Sequence, residues 1–149
     1  MDGPIIVEYG AADIGIAGKD VLLEQKREVI ELLDLGTNGS RLAVFSLRKE
    51  LPAYMITIGT GYPRIANAFF VSRGTQANVI TLSGDLNNVV SFRLVDCIVD
   101  LDLQRNVDES LHELEMITYV TDRLIVNRVS YILKYPEIES VCSALSLVI

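Results

Sequence analysis

The hydrophobic residues of this chain fall into short runs that are separated by glycine, proline or polar turns. Runs rich in isoleucine, valine and leucine predict strands over 12–17, 29–35, 42–45, 56–58, 77–82, 97–101, 113–118 and 123–127. Apolar residues at helical spacing, with proline near the start or glycine near the end, predict helices over 4–10, 20–25, 63–74 and 137–148, and a helical stretch that ends near 92. This alternation predicts an α/β fold with a mainly parallel sheet.

The firmest local prediction concerns the turn at 37–40. Asn38 and Gly39 separate two apolar runs, and both residues accept the positive φ that a tight hairpin turn requires. We therefore expect a β-hairpin between the strands over 29–35 and 42–45.

Composition and charge narrow the class of protein. The chain has 149 residues, of which 50% are hydrophobic and 22% charged, which suits one compact unit or two small lobes. Its 13 basic and 20 acidic residues leave a net charge of −7 without a basic stripe, so nucleic acid and anionic membrane surfaces are poor partners. Because no run of about 18 apolar residues predicts a membrane span, we expect a soluble protein of the cytoplasm.

Scarce residue types exclude further kinds of site. His112 is the only histidine, so histidine-based zinc sites and Ser-His-Asp triads lack their material. Cys97 and Cys142 lie in apolar runs outside any CxxC pattern, and we interpret them as buried thiols of a reducing compartment.

Two places in the chain have candidate binding residues. Gly59 and Gly61 lie where a predicted strand gives way to a helix, so backbone N–H groups there could bind an anion, although a plain tight turn explains the same pattern. Asp100 lies near the carboxyl end of the 97–101 strand, where open α/β sheets place their ligands, and could contact sugar hydroxyls or hold magnesium through water. Helix capping by Asp100 or Asp102 is the structural alternative.

Five segments, in order and at matching spacing, resemble one enzyme family. They are 7–22 with Pro4, 31–36 with 41–42, 62–66 with Phe70, 96–101, and 123–134. On these residues the chain resembles the short-form catalytic subunit of ATP phosphoribosyltransferase. The resemblance implies a two-lobed fold like that of type II periplasmic binding proteins, with residues 1–50 in the first lobe, 51–111 in the second, and 112–149 returning to the first lobe and ending in a helix. We expect the first lobe to be incomplete, because the family's opening strand and Lys-Gly-Arg stretch have no counterpart in this sequence.

The resemblance also implies an activity and partners. Such enzymes join ATP to phosphoribosyl pyrophosphate with loss of pyrophosphate, use magnesium, and catalyse the first step of histidine biosynthesis. Matching positions assign substrate binding to Gly18, Asp20 and Asp100, with Gly59 and Gly61 as looser candidates and Asp100 as the magnesium contact; no catalytic residue is assigned. The implied partners are a second copy of the chain and a regulatory subunit similar to histidyl-tRNA synthetase.

The sequence departs from the family pattern at several site positions. Residues 103–108 lack the glycine and threonines of the family's phosphate loop, Glu-Thr-Gly-x-Thr-Leu. Asn87 replaces a glutamate, Arg93 a glycine and Gly61 a lysine. We therefore expect impaired activity in the isolated chain, and the alternative is a non-catalytic binding or scaffold subunit derived from the family.

Overall fold

The computed structural model describes residues 2–84, 86, 89, 93–102 and 111–149. Within these residues the helices are α1 Gly3–Glu8, α2 Lys19–Gln25, α3 Pro63–Ser72, α4 Arg128–Leu133 and α5 Tyr135–Ser146. The strands are β1 Ile14–Gly18, β2 Ile30–Asp34, β3 Ser40–Ser46, β4 Ile56–Thr60, β5 Ala77–Thr81, β6 Cys97–Leu101, β7 His112–Val120 and β8 Asp122–Val126. The α/β class expected from the alternating pattern is confirmed.

The chain divides into two compact units. The first combines residues up to Gly39 with Val120–Ile149, and the second is Ser40–Tyr119. These boundaries differ from the predicted ones at 50 and 111. Because β3 pairs with both β6 and β7, residues 40–50 and 112–119 belong to the second unit.

The first unit is built on a three-stranded sheet in the order β1-β8-β2, in which both pairings are antiparallel. Helix α1 packs against β1, and Val7, Ala17 and Ile125 form the buried core between them. Pro4 lies in the first turn of α1, and Gly10 ends the segment with a φ of 78°. Proline and glycine thus occupy the two ends that their backbone preferences suit.

Asn127 connects three segments of the first unit through one buried side chain. Its amide group donates hydrogen bonds to the carbonyl oxygens of Val7 at 2.8 Å and Glu8 at 3.0 Å, at the end of α1. Its side-chain oxygen accepts from the N–H of Ser130 at 2.9 Å and so caps α4. Its backbone N–H donates to the carbonyl of Asp13 at 2.9 Å. One residue therefore makes four hydrogen bonds that join α1, the segment before β1 and α4.

The second unit contains a five-stranded sheet in the order β5-β4-β6-β3-β7. Strand β4 runs parallel to β5 and β6, whereas β3 runs antiparallel to β6. Alternate residues of β3 and β6 face opposite sides of the sheet: Leu42, Val44, Cys97 and Val99 belong to one buried cluster, and Ala43, Phe45 and Ile98 to the other. Strand β6 is thus buried on both faces, which explains its continuous apolar run.

The prediction of a mainly parallel sheet is wrong. Of the pairings whose direction is given in the described residues, those of β1, β2 and β3 are antiparallel and only the two that involve β4 are parallel. A continuous apolar run indicates that a strand is buried on both faces, but it does not indicate the direction of the neighbouring strands. Strand β6 is buried on both faces and pairs with one parallel and one antiparallel neighbour.

The predicted hairpin at Asn38-Gly39 is also wrong. Strand β2 pairs with β8 and β3 pairs with β6, so the two strands lie in different sheets. Only Asn38 takes a positive φ, at 52°, whereas a two-residue hairpin of the favoured type requires it at both central residues. The Asn38 side chain donates to Asp122 Oδ2 at 2.6 Å, and this segment forms the connection between the two units.

Two of the predicted helices, the C-terminal one and the one ending near residue 92, have different outcomes. The C-terminal helix expected from residue 137 begins at Tyr135, and α4, which precedes it, has no counterpart in the sequence-based prediction. Most of the helical stretch expected to end near Phe92, and Asp85 of the turn before it, lie outside the described residues. None of the helices in the described part of the chain is long and apolar enough to cross a membrane.

We predict that Asn127→Ala destabilises the protein by about 2–3 kcal/mol, because it removes the cap of α4 and two hydrogen bonds to carbonyls at the end of α1. The urea midpoint of unfolding, followed by circular dichroism, measures the change. The control is Asn67→Ala, at an exposed position of α3, which should shift the midpoint little. Equal midpoints for the two variants would show that Asn127 has no such structural role.

Candidate functional site

The parallel strands of the second unit end at one edge of the sheet. Thr60, the last residue of β4, is in register with Thr81 of β5 and Val99 of β6. The Thr60 side chain is fully buried; its hydroxyl donates to the carbonyl of Val99 at 2.8 Å and accepts from the N–H of Tyr62 at 2.9 Å. Thr60 therefore fixes the start of the loop before α3 relative to the end of β6.

Asp100 lies at this same edge, one residue beyond Val99. Its side chain is nearly buried, at 8% exposure, and Asp100 Oδ1 accepts from the N–H of Leu101 at 2.9 Å. Opposite it in β3 is Ala43. A carboxylate at the end of a parallel strand is well suited to accept hydrogen bonds from the hydroxyls of a ligand.

Asp102 has a structural role at the start of β3. One of its carboxylate oxygens accepts from the Ser40 hydroxyl and, at 3.0 Å, from the N–H of Arg41. The Arg41 guanidinium lies 3.5 Å from the other oxygen and also pairs with Glu113 at 3.1 Å. These contacts join the ends of β6, β3 and β7. Helix capping by Asp100 or Asp102 stays a prediction, because residues 103–110 lie outside the described part.

The two glycines of the β4–α3 segment have different surroundings. Gly59 is inside β4, and a Cβ there would come within 2.9 Å of Leu82 Cδ1 and 3.4 Å of Val95 Cγ1. Its lack of a side chain is therefore explained by packing against apolar neighbours. Gly61 lies in the loop after β4, where a Cβ would make only an ordinary contact, 3.5 Å from the carbonyl oxygen of Leu82. Of the two, Gly61 is the position that packing does not explain.

Gly18 and Asp20 lie in the first unit, at the junction of β1 and α2. A Cβ on Gly18 would overlap Asp20 Oδ1, so the carboxylate lies directly over this glycine. Asp20 is in the first turn of α2 and is 7% exposed. The N–H of the intervening Lys19 donates to the carbonyl of Thr121 at 2.9 Å, which attaches the junction to the segment between β7 and β8.

The five candidate residues predicted from the sequence fall into two groups, one in each unit. Gly59, Gly61 and Asp100 meet at one edge of the second unit's sheet, and Gly18 and Asp20 meet in the first unit. Thr60 was missed; its signal in the sequence was a threonine between two glycines at a strand end. Residues 103–108 and Asn87 lie outside the described residues, whereas Arg93 is described and takes a φ of 58°.

Metal-binding and thiol chemistry are limited in the described part of the chain. Across these residues, no three histidine, cysteine, aspartate or glutamate side chains lie together in a way that could hold a metal ion. Both cysteines are free; Cys97 is buried as expected, whereas Cys142 is only half-buried. Burial, together with the nearby Asp96 carboxylate, raises the pKa of the Cys97 thiol to about 12. The thiol is therefore protonated and unreactive at neutral pH.

Comparisons of sequence and of structure with known proteins lead to the same family. The family described as HisG, ATP phosphoribosyltransferase, matches residues 1–146. The chain is 42% identical to the ATP phosphoribosyltransferase of Bacillus licheniformis and 41% identical to that of Bacillus subtilis strain 168; each match covers 100% of this chain and 71% of the relative. Among solved structures, the ATP phosphoribosyl transferase (HisG:HisZ) complex from Thermotoga maritima matches with a TM-score of 0.87 at 31% identity, over 99% of this chain and 75% of the other. A protein solved with bound L-arginine matches in fold alone, at a TM-score of 0.65 and 15% identity, over 96% of this chain and 64% of the other.

We predict that Gly18→Ala destabilises the protein by about 1–3 kcal/mol, because the new methyl group must displace the Asp20 carboxylate. Gly61→Ala is the matched control and should change the unfolding free energy by less than about 0.5 kcal/mol. Urea unfolding of both variants makes the comparison. The double variant Gly18→Ala/Asp20→Ala should be less unstable than the sum of its single changes. Additive changes in the unfolding free energy, or an unchanged stability of Gly18→Ala, would show that the Asp20 carboxylate does not pack against Gly18.

Proposed function

The chain belongs to the ATP phosphoribosyltransferase family, and on that premise we propose that it binds ATP and phosphoribosyl pyrophosphate and forms phosphoribosyl-ATP and pyrophosphate, the first step of histidine biosynthesis. The observation that carries this proposal is the nearly buried Asp100 carboxylate at the carboxyl end of β6. It lies at the sheet edge where α/β folds bind their ligands.

The reaction makes a specific demand on the protein. A nitrogen of the adenine base attacks the anomeric carbon of the ribose, the bond from that carbon to the pyrophosphate oxygen breaks, and the electron pair leaves with pyrophosphate. The ribose ring becomes positively charged in the transition state, whereas both substrates are polyanions. Most of the protein's task is therefore to position the two substrates and to balance charge.

Asp100 meets part of this demand. We assign its carboxylate to the ribose hydroxyls of phosphoribosyl pyrophosphate, because one carboxylate can accept two hydrogen bonds from neighbouring hydroxyls. Its attachment to the buried strand β6 fixes the position of the carboxylate before the substrate arrives. Thr60, with its hydroxyl bonded to Val99, holds the neighbouring loop, from which the backbone around Gly61 would contact phosphate.

The family uses a divalent metal ion, and we propose that here it is magnesium. Magnesium is commonly held by one or two carboxylates together with substrate phosphates, so a single aspartate at the site is enough when the phosphates supply further ligands. Asp100 fits this requirement, whereas Asp102 is occupied by Ser40 and Arg41. The ion would neutralise charge on the pyrophosphate group.

The remaining candidate residues have supporting roles in this proposal. Gly18 and Asp20 are assigned to substrate binding from the first unit, where the absence of a side chain on Gly18 sets the position of the Asp20 carboxylate. Gly59 is assigned an indirect role, because packing against Leu82 and Val95 accounts for it. Its small size lets β4 lie close to these neighbours.

We also propose that the chain works in an assembly. The related structure from Thermotoga maritima is a HisG:HisZ complex, which supports an oligomer that includes a second, regulatory kind of subunit. On the first unit, exposed apolar side chains support the same view: Val129 and Ile132 of α4 are 62% and 77% exposed and lie three residues apart on one helix face. We place this assembly in the cytoplasm, consistent with two free cysteines.

The activity is tested by pyrophosphate release from the purified chain supplied with ATP, phosphoribosyl pyrophosphate and magnesium. We expect release that requires both substrates, and a loss of about 10- to 100-fold in kcat/KM for Asp100→Asn, because the variant keeps the acceptor for the Leu101 N–H but loses its charge.

The control is Asp2→Asn, which removes an exposed carboxylate that makes no capping hydrogen bond and should leave kcat/KM unchanged. Full activity in Asp100→Asn would exclude Asp100 from the site. Absence of release by the wild-type chain, alone and with a HisZ-type subunit added, would instead favour a non-catalytic binding or scaffold subunit, which the altered 103–108 sequence also favours.

For the assembly, we predict a molar mass in light scattering at least twice the 16.5 kDa of one chain. The substitution Ile132→Asp should lower that mass toward the monomer, because it places a charge in the exposed apolar stripe of α4. A wild-type chain that stays monomeric at high concentration would contradict this part of the proposal.

A further inference from the structure

A cavity of about 190 Å³ lies at the end of the second unit's sheet opposite Asp100. The antiparallel pairing of β3 with β6 explains its position, because the residues after β3 meet the residues before β6. Among the described residues, those that line it are Ser46, Leu47, Arg48, Arg93, Val95 and Asp96. Asp96 precedes Asp100 by four residues of extended chain, so the two places are about 13 Å apart along β6.

Three charged residues line the cavity: Arg48 and Arg93, which are both exposed to solvent, and Asp96. In the described part of the chain, neither guanidinium takes part in an ion pair or a hydrogen bond. Asp96 Oδ2 already accepts from the N–H of Thr57 at 2.8 Å, so this carboxylate is held toward β4. The described lining therefore has two basic residues against one acidic residue, in a chain whose net charge is −7.

Ser46 joins the backbone segments of Arg48 and Asp96, two of the residues that line the cavity. The fully buried Ser46 hydroxyl donates to the carbonyl of Asp96 at 2.7 Å and accepts from the N–H of Arg48 at 3.2 Å. This pair of bonds joins the end of β3 to the start of β6 on the cavity wall. The backbone position from which the Arg48 side chain extends is thus set before any ligand binds.

Arg93 provides a second, independent observation. Its φ of 58° lies in the left-handed region, where glycine is unstrained and a long side chain is disfavoured. A strained backbone retained at one wall of a charged cavity is a pattern found at binding sites. The guanidinium group is the feature that glycine could not supply at this position.

From these observations we propose that the cavity binds a small oxyanion of the phosphate class, through the guanidinium groups of Arg48 and Arg93. Arginine matches the geometry of phosphate oxygens with paired N–H donors. The volume is below the range of about 300–1,000 Å³ that holds drug-sized ligands, so it suits a single phosphate group. The site is separate from the one assigned to Asp100.

The test is an NMR titration of the ¹⁵N-labelled full chain with inorganic phosphate, against sodium chloride at equal ionic strength. We expect saturable shifts at the amides of Ser46, Leu47, Arg48 and Val95. Arg93→Gly should weaken the apparent affinity at these amides at least about tenfold without loss of fold, because glycine relieves the backbone strain while removing the charge. Arg48→Gln should weaken it similarly.

The matched control is Lys26→Gly in the first unit. Lys26 is a second basic residue with positive φ, at 50°. The substitution therefore removes the same charge and the same kind of strain at a position that does not line the cavity. It should leave the titration unchanged. Shifts no larger than those with chloride would overturn the proposal, and so would wild-type affinity for phosphate in Arg93→Gly and Arg48→Gln.

A second titration, with glycerol 3-phosphate, identifies the source of the phosphate group. Tighter binding than inorganic phosphate, with the same dependence on Arg93, supports a phosphomonoester as the ligand. Equal or weaker binding supports free phosphate. Binding of the ester at other amides alone would contradict the assignment of this cavity.

Discussion

Burial of strand β6 on both faces is the constraint on which the second unit depends. Its Cys97, Ile98 and Val99 are fully buried, so the strand cannot shift by one residue without moving every side chain into the opposite cluster. That fixed register carries Asp100 to one end of the sheet and Asp96 to the other. The substrate site that we propose and the anion cavity are therefore consequences of the same packing, and neither depends on a catalytic side chain of unusual reactivity.

The first unit depends instead on the hydrogen bonds that Asn127 makes at the end of β8. Strand β8 lies between β1 and β2, and Asn127 directly after it binds the end of α1 and the start of α4. A buried amide with all its partners in place specifies a single arrangement of these segments. Such an arrangement leaves the outer face of α4 apolar and exposed, which is consistent with an assembly of subunits.

The sequence predicted local elements well and long-range pairing poorly. The positions of β6 and α3 follow from an apolar run and from Pro63 and Gly74, which are local signals. Pairing is a property of the whole sheet, so the Asn38-Gly39 turn, although favourable by itself, could not reveal that β2 pairs with β8. The candidate site followed the same rule: Asp100 was proposed from its place on a strand, whereas the hydrogen bond of Thr60 to Val99 could not be predicted because it depends on β6 beside it.

The family assignment and the altered 103–108 sequence lead to opposite expectations for substrate binding, and one measurement decides between them. It is a calorimetric titration of phosphoribosyl pyrophosphate, with magnesium, into the purified chain. We expect saturable binding in the micromolar range, because the edge that carries Asp100 is fixed by β6 before the substrate arrives. Absence of heat at millimolar substrate would contradict the central claim and would assign the chain a role through its protein partners.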